Sequence, residues 1–254
     1  AQVDLLYARP WEGTNYGDLW PYSPPAAGSM TLSTDTAATS LLSGMQAWFP
    51  LTEGTGTSAQ CILHPTHTGT LGSSVSWESS EIGTSVVSDG AGLTGGINTG
   101  NPSSVQITGD LTIAAWVKCD DSTPSSNQYI VSKYGAGAGQ RAYAIALLTS
   151  GSVRFTYQSS GNPYNSAEDV DSSATLTAGT WHFVVGTFQA STAGKIYIDG
   201  ELDTSNTSSV PSSIFNSSSD VYISGIDDGP LNCFDGNIQN VKIYNRVLSA
   251  DEVT

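Results

Sequence analysis

Residues 109–117 read Gly-Asp-Leu-Thr-Ile-Ala-Ala-Trp-Val and run on into Lys118 and Cys119. Side chains alternate across an extended strand. Leu111, Ile113, Ala115 and Val117 therefore fall on one face, and Thr112, Ala114, Trp116 and Lys118 on the other. Both faces are apolar near the middle, so the strand is predicted to be covered on both sides there.

Working outward, short β-type runs recur with turn signals between them, at 141–149, 152–158, 181–188, 195–198, 221–224 and 238–244. Ser150-Gly151 marks a compact hairpin, and Asp199-Gly200 supplies the positive φ of a two-residue hairpin loop. Trp181, Phe183 and Val185 share one face and read as core residues. No segment before the C-terminus has a convincing helical period. Ser249 and Glu252 have the spacing of a capping box, which predicts a terminal turn of helix. Many antiparallel strands without interposed helices mean a sandwich or jelly roll.

The composition agrees. Of 254 residues, 64 are Ser or Thr and 27 are Gly, while only 12% are charged, which argues against helical bundles and coiled coils. The net charge of −15 excludes nucleic acid as a main partner, because nothing here could neutralise a run of phosphates. There is no run of 18 apolar residues and hence no membrane-spanning helix. Cys61, Cys119 and Cys233 are odd in number and far apart, so at most one internal bridge is possible. The chain starts at Ala1 with no recognisable leader, which is read as a processed or internal start.

Residues 1–44 differ from the rest. Pro10, Pro21, Pro24 and Pro25 are interleaved with Tyr7, Trp11, Tyr16, Trp20 and Tyr22, and a Ser/Thr-rich linker follows. Proline fixes φ and removes donors, so an extended N-terminal arm is expected. Its rings either pack on the parent domain or dock onto a neighbouring subunit, and they are the candidate partner-docking residues.

From Ala47 the run AWFPLTEGTGTSAQCILHPTHTGTL resembles the opening of laminin-G-like, concanavalin-A-like jelly-roll domains, with Trp48, Leu51, Glu53, Gly54, Gly56, Gly69 and Leu71 on matching positions. The stretches 109–117, 178–184, 197–200, 234–246 and 248–253 continue the resemblance in family order. It implies an all-β antiparallel sandwich over residues 45–254. Such domains recur in phage structural proteins and secreted bacterial proteins. The resemblance thus implies a non-enzymatic surface component of a virion or cell-surface assembly, anchored by the arm and located outside the cell or on the virion. The alternative is a glycan-binding module of a secreted bacterial protein. Many relatives hold a structural calcium, for which Asp89, Asp235, Gln239 and Asn240 are the candidate oxygen ligands here. Cys61 and His67 replace the polar residues the family carries early, and Gln239 and Asn240 replace its paired acids.

The remaining chemistry is sparse. Asp199, Glu201 and Asp203 alternate as the acids of a glycosidase strand would, but the hairpin already claims Asp199. Glu78 and Glu81 flank two serines in an expected loop. Cys61, His64 and His67 have a metal-like spacing, yet Pro65 interrupts the loop and no fourth ligand is near. For sugar stacking the candidates are Trp77, Tyr134 and Tyr164, set in Gly- or Ser-rich stretches.

Overall fold

The computed structural model describes residues 41–90, 95–227 and 232–254. Tyr7, Trp11, Tyr16, Trp20 and Tyr22, and with them residues 1–40 of the expected arm, lie outside the described residues. Two antiparallel sheets make the sandwich. From edge to edge the first contains β14 (Glu201–Asn206), β13 (Ala193–Ile198), β12 (His182–Gln189), β7 (Leu111–Cys119), β16 (Asp235–Tyr244), β5 (Gly83–Asp89) and β4 (Val75–Ser80). The strand β1 (Met45–Phe49) also pairs with β16. The second sheet runs β11 (Asp169–Thr175), β10 (Ser152–Tyr157), β9 (Arg141–Leu147), β8 (Gln128–Tyr134), β15 (Tyr222–Ile223), β6 (Ile97–Asn98), β3 (Thr68–Leu71) and β2 (Ser58–Gln60).

β7 lies between β12 and β16 and is covered on both faces, as its sequence predicts. Leu111, Ile113, Ala115 and Val117 enter the core between the sheets. Ala114 and Trp116 join a second cluster on the outer face of the first sheet. Trp181, Phe183 and Val185 are core residues of that cluster, as their shared face predicts, and they are buried beneath Leu248 and Val253 at the C-terminus. The terminal turn of helix, α1 (Ala250–Val253), carries the predicted capping box: Ser249 accepts from the Glu252 N–H, and the Glu252 side chain accepts from the Ser249 N–H. Cys61, Cys119 and Cys233 are buried free thiols.

Between the sheets, Phe155 and Tyr157 of β10 point inward with their rings 5.5 Å apart, and the Tyr157 ring meets Phe188 of β12 at 4.8 Å. Glycine makes room for both rings. A Cβ on Gly186 would lie 2.6 Å from the Phe155 ring, and one on Gly194 would collide with Tyr157. Across the first sheet, Asp199 and Gly200 turn β13 into β14 with φ of 53° and 87°. The Asp199 carboxylate accepts from the Phe183 N–H at 2.8 Å and lies 2.8 Å from His182 Nδ1. Burial acts to raise its pKa, but the His182 ring and the Phe183 N–H outweigh burial and hold it below the ordinary carboxylate value.

Gly186→Ala is expected to lose about 1–3 kcal/mol by overpacking against Phe155, read as a lower urea midpoint with an unchanged slope. A variant as stable as the wild type would show that the rings yield. Asp199→Asn keeps a residue tolerant of the left-handed turn and removes only the charge. A carboxylate with a lowered folded pKa stabilises above its unfolded value and loses that contribution as pH falls through the folded one. The wild type should therefore exceed the variant in stability at neutral pH, with the gap closing as pH falls below 3.8. A pH-independent gap would assign the difference to shape instead.

Candidate functional site

Residues 129 and 134 are an odd number apart and would face opposite ways on a regular strand. In β8 they do not. Two residues of β8, Tyr129 and Ile130, oppose one step of β9, so the register moves from Tyr129↔Ala146 to Val131↔Ile145. Ile130 and Val131 both enter the core, and Tyr129, Ser132 and Tyr134 all face outward. Such bulges re-aim side chains, and this one gathers two tyrosines on the outer face of the second sheet. Their rings stack at 5.7 Å and 27°.

A cross-strand row runs along that face from β3 to the β11 edge: Thr70, Asn98, Tyr222, Ser132, Ala144, Thr156 and Asp169 are successive partners. At about 4.8 Å per strand it extends roughly 29 Å. Two hollows open along it. The smaller, about 200 Å³, is floored by Ala144, Ala146 and Thr156 and walled by Tyr129, Tyr134 and Tyr164, with Arg154 at its side. The larger, about 650 Å³, is lined by Thr70, Asn98, Tyr222 and Ile226 with several glycines. Tyr134, Ala144 and Ile226 pack together, with Tyr129 against them, and form the ridge between the hollows.

Hydrogen bonds fix the polar groups. Arg154 Nε and Nη2 each donate to Asp171 at 2.7 Å, Nε lies 3.3 Å from Asp169, and Nη1 donates to the Tyr164 hydroxyl at 3.1 Å. Tyr164 in turn donates to Asp169. The fork to Asp171 raises the Arg154 pKa further, and burial raises that of Asp169. Burial likewise pushes the Tyr129 phenol up to about 12, so it enters contacts as a neutral donor. In the larger hollow Asn98 Nδ2 donates to Asp220 at 3.0 Å and to the Tyr222 hydroxyl at 2.9 Å.

Of the three stacking candidates, Tyr134 and Tyr164 therefore share one hollow. Trp77 does not join them. It lies on β4, an edge strand of the other sheet, where its ring packs against the core and its indole N–H donates to Gly56 O at 2.8 Å. Glu78 is on the same strand rather than in a loop and accepts from Asn237. Glu81, in the turn that follows, accepts from the Trp181 indole.

The four calcium candidates do not converge. Asp89 and Asp235 face each other across β5 and β16. Gln239 donates to Thr84 O at 2.6 Å further along β16, and Asn240 Oδ1 accepts from the Trp48 indole at 2.8 Å. These residues do not fit one calcium ligand set, and among the described residues no three His, Cys, Asp or Glu side chains cluster to hold a metal ion. His67 is a buried strut that packs edge-on against Phe49 and places Nε2 2.7 Å from Thr99 O.

Sequence reasoning missed Tyr129, because simple alternation sets it opposite Tyr134. It also passed over a second alternating acidic pair, Asp169 and Asp171. That pair was legible as acids at positions i and i+2 of a β-type run, but its convergence on Arg154 depends on the β10–β11 register.

Comparison with known proteins follows the same lines. A laminin-G-type family model, described as the Concanavalin A-like lectin/glucanases superfamily, matches residues 89–254. No curated protein sequence matches the chain. Among solved structures it is similar to the binding domain of Paraclostridial Mosquitocidal Protein 1, with TM-score 0.66 and 13% identity, covering 84% of this chain and 51% of that one. It is also similar to the botulinum neurotoxin serotype D ligand binding domain in complex with N-acetylneuraminic acid, with TM-score 0.64 and 14% identity over 85% and 51%. A third likeness is to Trypanosoma rangeli sialidase, with TM-score 0.61 and 16% identity over 92% and 34%. The chain thus spans about half the length of the two binding domains and about a third of the sialidase, and at these identities the likeness is one of fold. With the family match covering more than half of the chain, and the sandwich in place, the chain belongs to the concanavalin A-like lectin/glucanases superfamily.

Proposed function

We propose that this domain is a glycan-binding module that holds its ligand on the outer face of the second sheet and does not turn it over. The observation that carries the reading is the smaller hollow, where three tyrosines surround a floor of small side chains in a space the size of one sugar ring. Sugars present apolar ring faces edged by hydroxyls, and aromatic walls with phenol groups at their tips match both. The row linking this hollow to the larger one suits an oligosaccharide laid across the strands rather than a single sugar. The similar binding domains, one of them in complex with N-acetylneuraminic acid, support a binding role. A part in a virion or cell-surface assembly rested on the arm, which lies outside the described residues, so the glycan module is preferred.

The hydrogen bonds of the acids support binding without hydrolysis. Asp203 accepts from the Ser173 and Ala174 N–H groups, Glu168 from Ser159, and Glu78 from Asn237. Asp169 and Asp171 converge on one guanidinium instead of flanking a cleft.

Calorimetric titration with cellohexaose, laminarihexaose, mannohexaose and N-acetyllactosamine should find a binder. Tyr134→Ala and Tyr164→Ala should each weaken it about fivefold to tenfold, as the loss of one aromatic contact implies. Trp77→Phe should leave the affinity as it is. Equal affinity in both tyrosine variants would remove the hollow from the site. The same sugars should remain intact on prolonged incubation, and a hydrolysis that disappears in Asp169→Asn would overturn the reading of binding alone.

A further inference from the structure

We infer that this face selects uncharged sugars, and that the cluster of Arg154 with Asp169 and Asp171 is what turns anionic ones away. The inference rests on the glycan-binding reading and adds the charge class of the ligand.

An arginine beside a sugar-sized hollow would ordinarily be the group that receives a carboxylate or sulfate, because its planar fork matches two oxygens at once. Here the fork is already filled. Nε and Nη2 both lie 2.7 Å from the Asp171 carboxylate, Asp169 stands 3.3 Å from Nε, and the Tyr164 hydroxyl accepts a hydrogen bond from Nη1. One guanidinium faces two acids, so the side of the hollow offers no surplus positive charge. Of the five guanidinium N–H groups, those not engaged by Asp171 or Tyr164 remain on the terminal nitrogens, and a neutral hydroxyl oxygen suits them.

The rest of the face has the same bias. At the larger hollow, Asp220 accepts from Asn98, and Asp227 accepts from the Asp220 N–H at 3.0 Å. Lys133, on β8, points into the protein and donates to Asn101 Oδ1, Ser217 O and Ser219 O at 2.8, 2.8 and 2.6 Å, with only 1% of its surface exposed. Arg141 lies over the Tyr134 ring with its terminal nitrogens on Asn162 Oδ1 and Ala136 O, and it lines neither hollow. The chain as a whole carries −15, so an approaching anion is repelled before it arrives. A ligand bearing sialate, uronate or sulfate in the smaller hollow would meet two carboxylates and an arginine whose fork is filled, with Arg141 set behind the Tyr134 ring outside the lining, while its uncharged counterpart would lose nothing.

The test uses the full chain against paired glycans immobilised at equal density: N-acetyllactosamine with its α2,3-sialylated form, and laminarihexaose with a sulfated laminarihexaose. The uncharged member of at least one pair should bind at least tenfold more tightly than its charged partner. Asp171→Asn releases half of the fork, and the preference should then shrink at least fivefold through a gain in binding of the charged member. In the double variant Asp171→Asn, Arg154→Ala that gain should vanish. Wild-type protein that binds the charged member equally or better overturns the inference while leaving glycan binding intact. A preference unmoved by Asp171→Asn in a folded variant also overturns it. Failure to bind any member of any pair rejects the glycan reading itself, and the inference with it.

Discussion

The seating of two aromatic rings on glycine backbone sets the spacing on which the rest of the sandwich depends. Phe155 and Tyr157 project from β10 into the interior, and Gly186 and Gly194 allow β12 and β13 to come down onto them. Face-to-face sheets settle at about 10 Å when their side chains interdigitate. Large rings on one sheet need small partners on the other to reach that distance without a void or a clash. Because the strand alternates, fixing Phe155 and Tyr157 inward also fixes Arg154 and Thr156 outward. Core packing and the composition of the binding face are two sides of one register.

The same strand logic explains why the outer faces of the two sheets differ. On the first sheet, Trp116, Phe183 and Tyr244 are buried together with Leu248 and Val253. Over the central strands of the second sheet, the outward positions Ala144, Ala146, Ser132 and Thr156 are small, and bulk returns at Tyr129, Tyr134, Arg154 and Tyr164. A floor of small residues between large walls is what makes a hollow on a sheet that would otherwise be flat.

Much of the fold was legible because it rests on local signals. The two-faced burial of β7, the Asp199-Gly200 hairpin and the Ser249/Glu252 cap each depend on residues close together in sequence, and the structure has all three. The site was legible only in part. Tyr134 and Tyr164 could be picked by residue type, but the arrival of Tyr129 beside them depends on a bulge that no composition announces. Trp77 looked equivalent to them and is not, because its exposure is decided by which edge strand carries it. The four calcium candidates lie apart for a similar reason. Four residues along one strand is about 13 Å, too far for Asp235 and Gln239 to share an ion.

The row across the second sheet takes its members from seven strands, and no two of them are neighbours in the chain. Thr70 and Tyr222 can be exchanged singly, whereas Asn98 accepts from the Gly100 N–H, Ser132 donates to Gly225 O and Ala144 packs against Tyr134 and Ile226, so ligand preference can drift at the first two while the scaffold stays as it is. One length change is tolerated in the same way. Deleting one residue beside Ile130 would remove the extra step in β8 and leave Tyr129 and Tyr134 four positions apart, on one face by plain alternation, with Lys133 still inward. The bulge is thus what lets an odd spacing present both rings, and loss of the bulge together with its extra residue would keep the face intact.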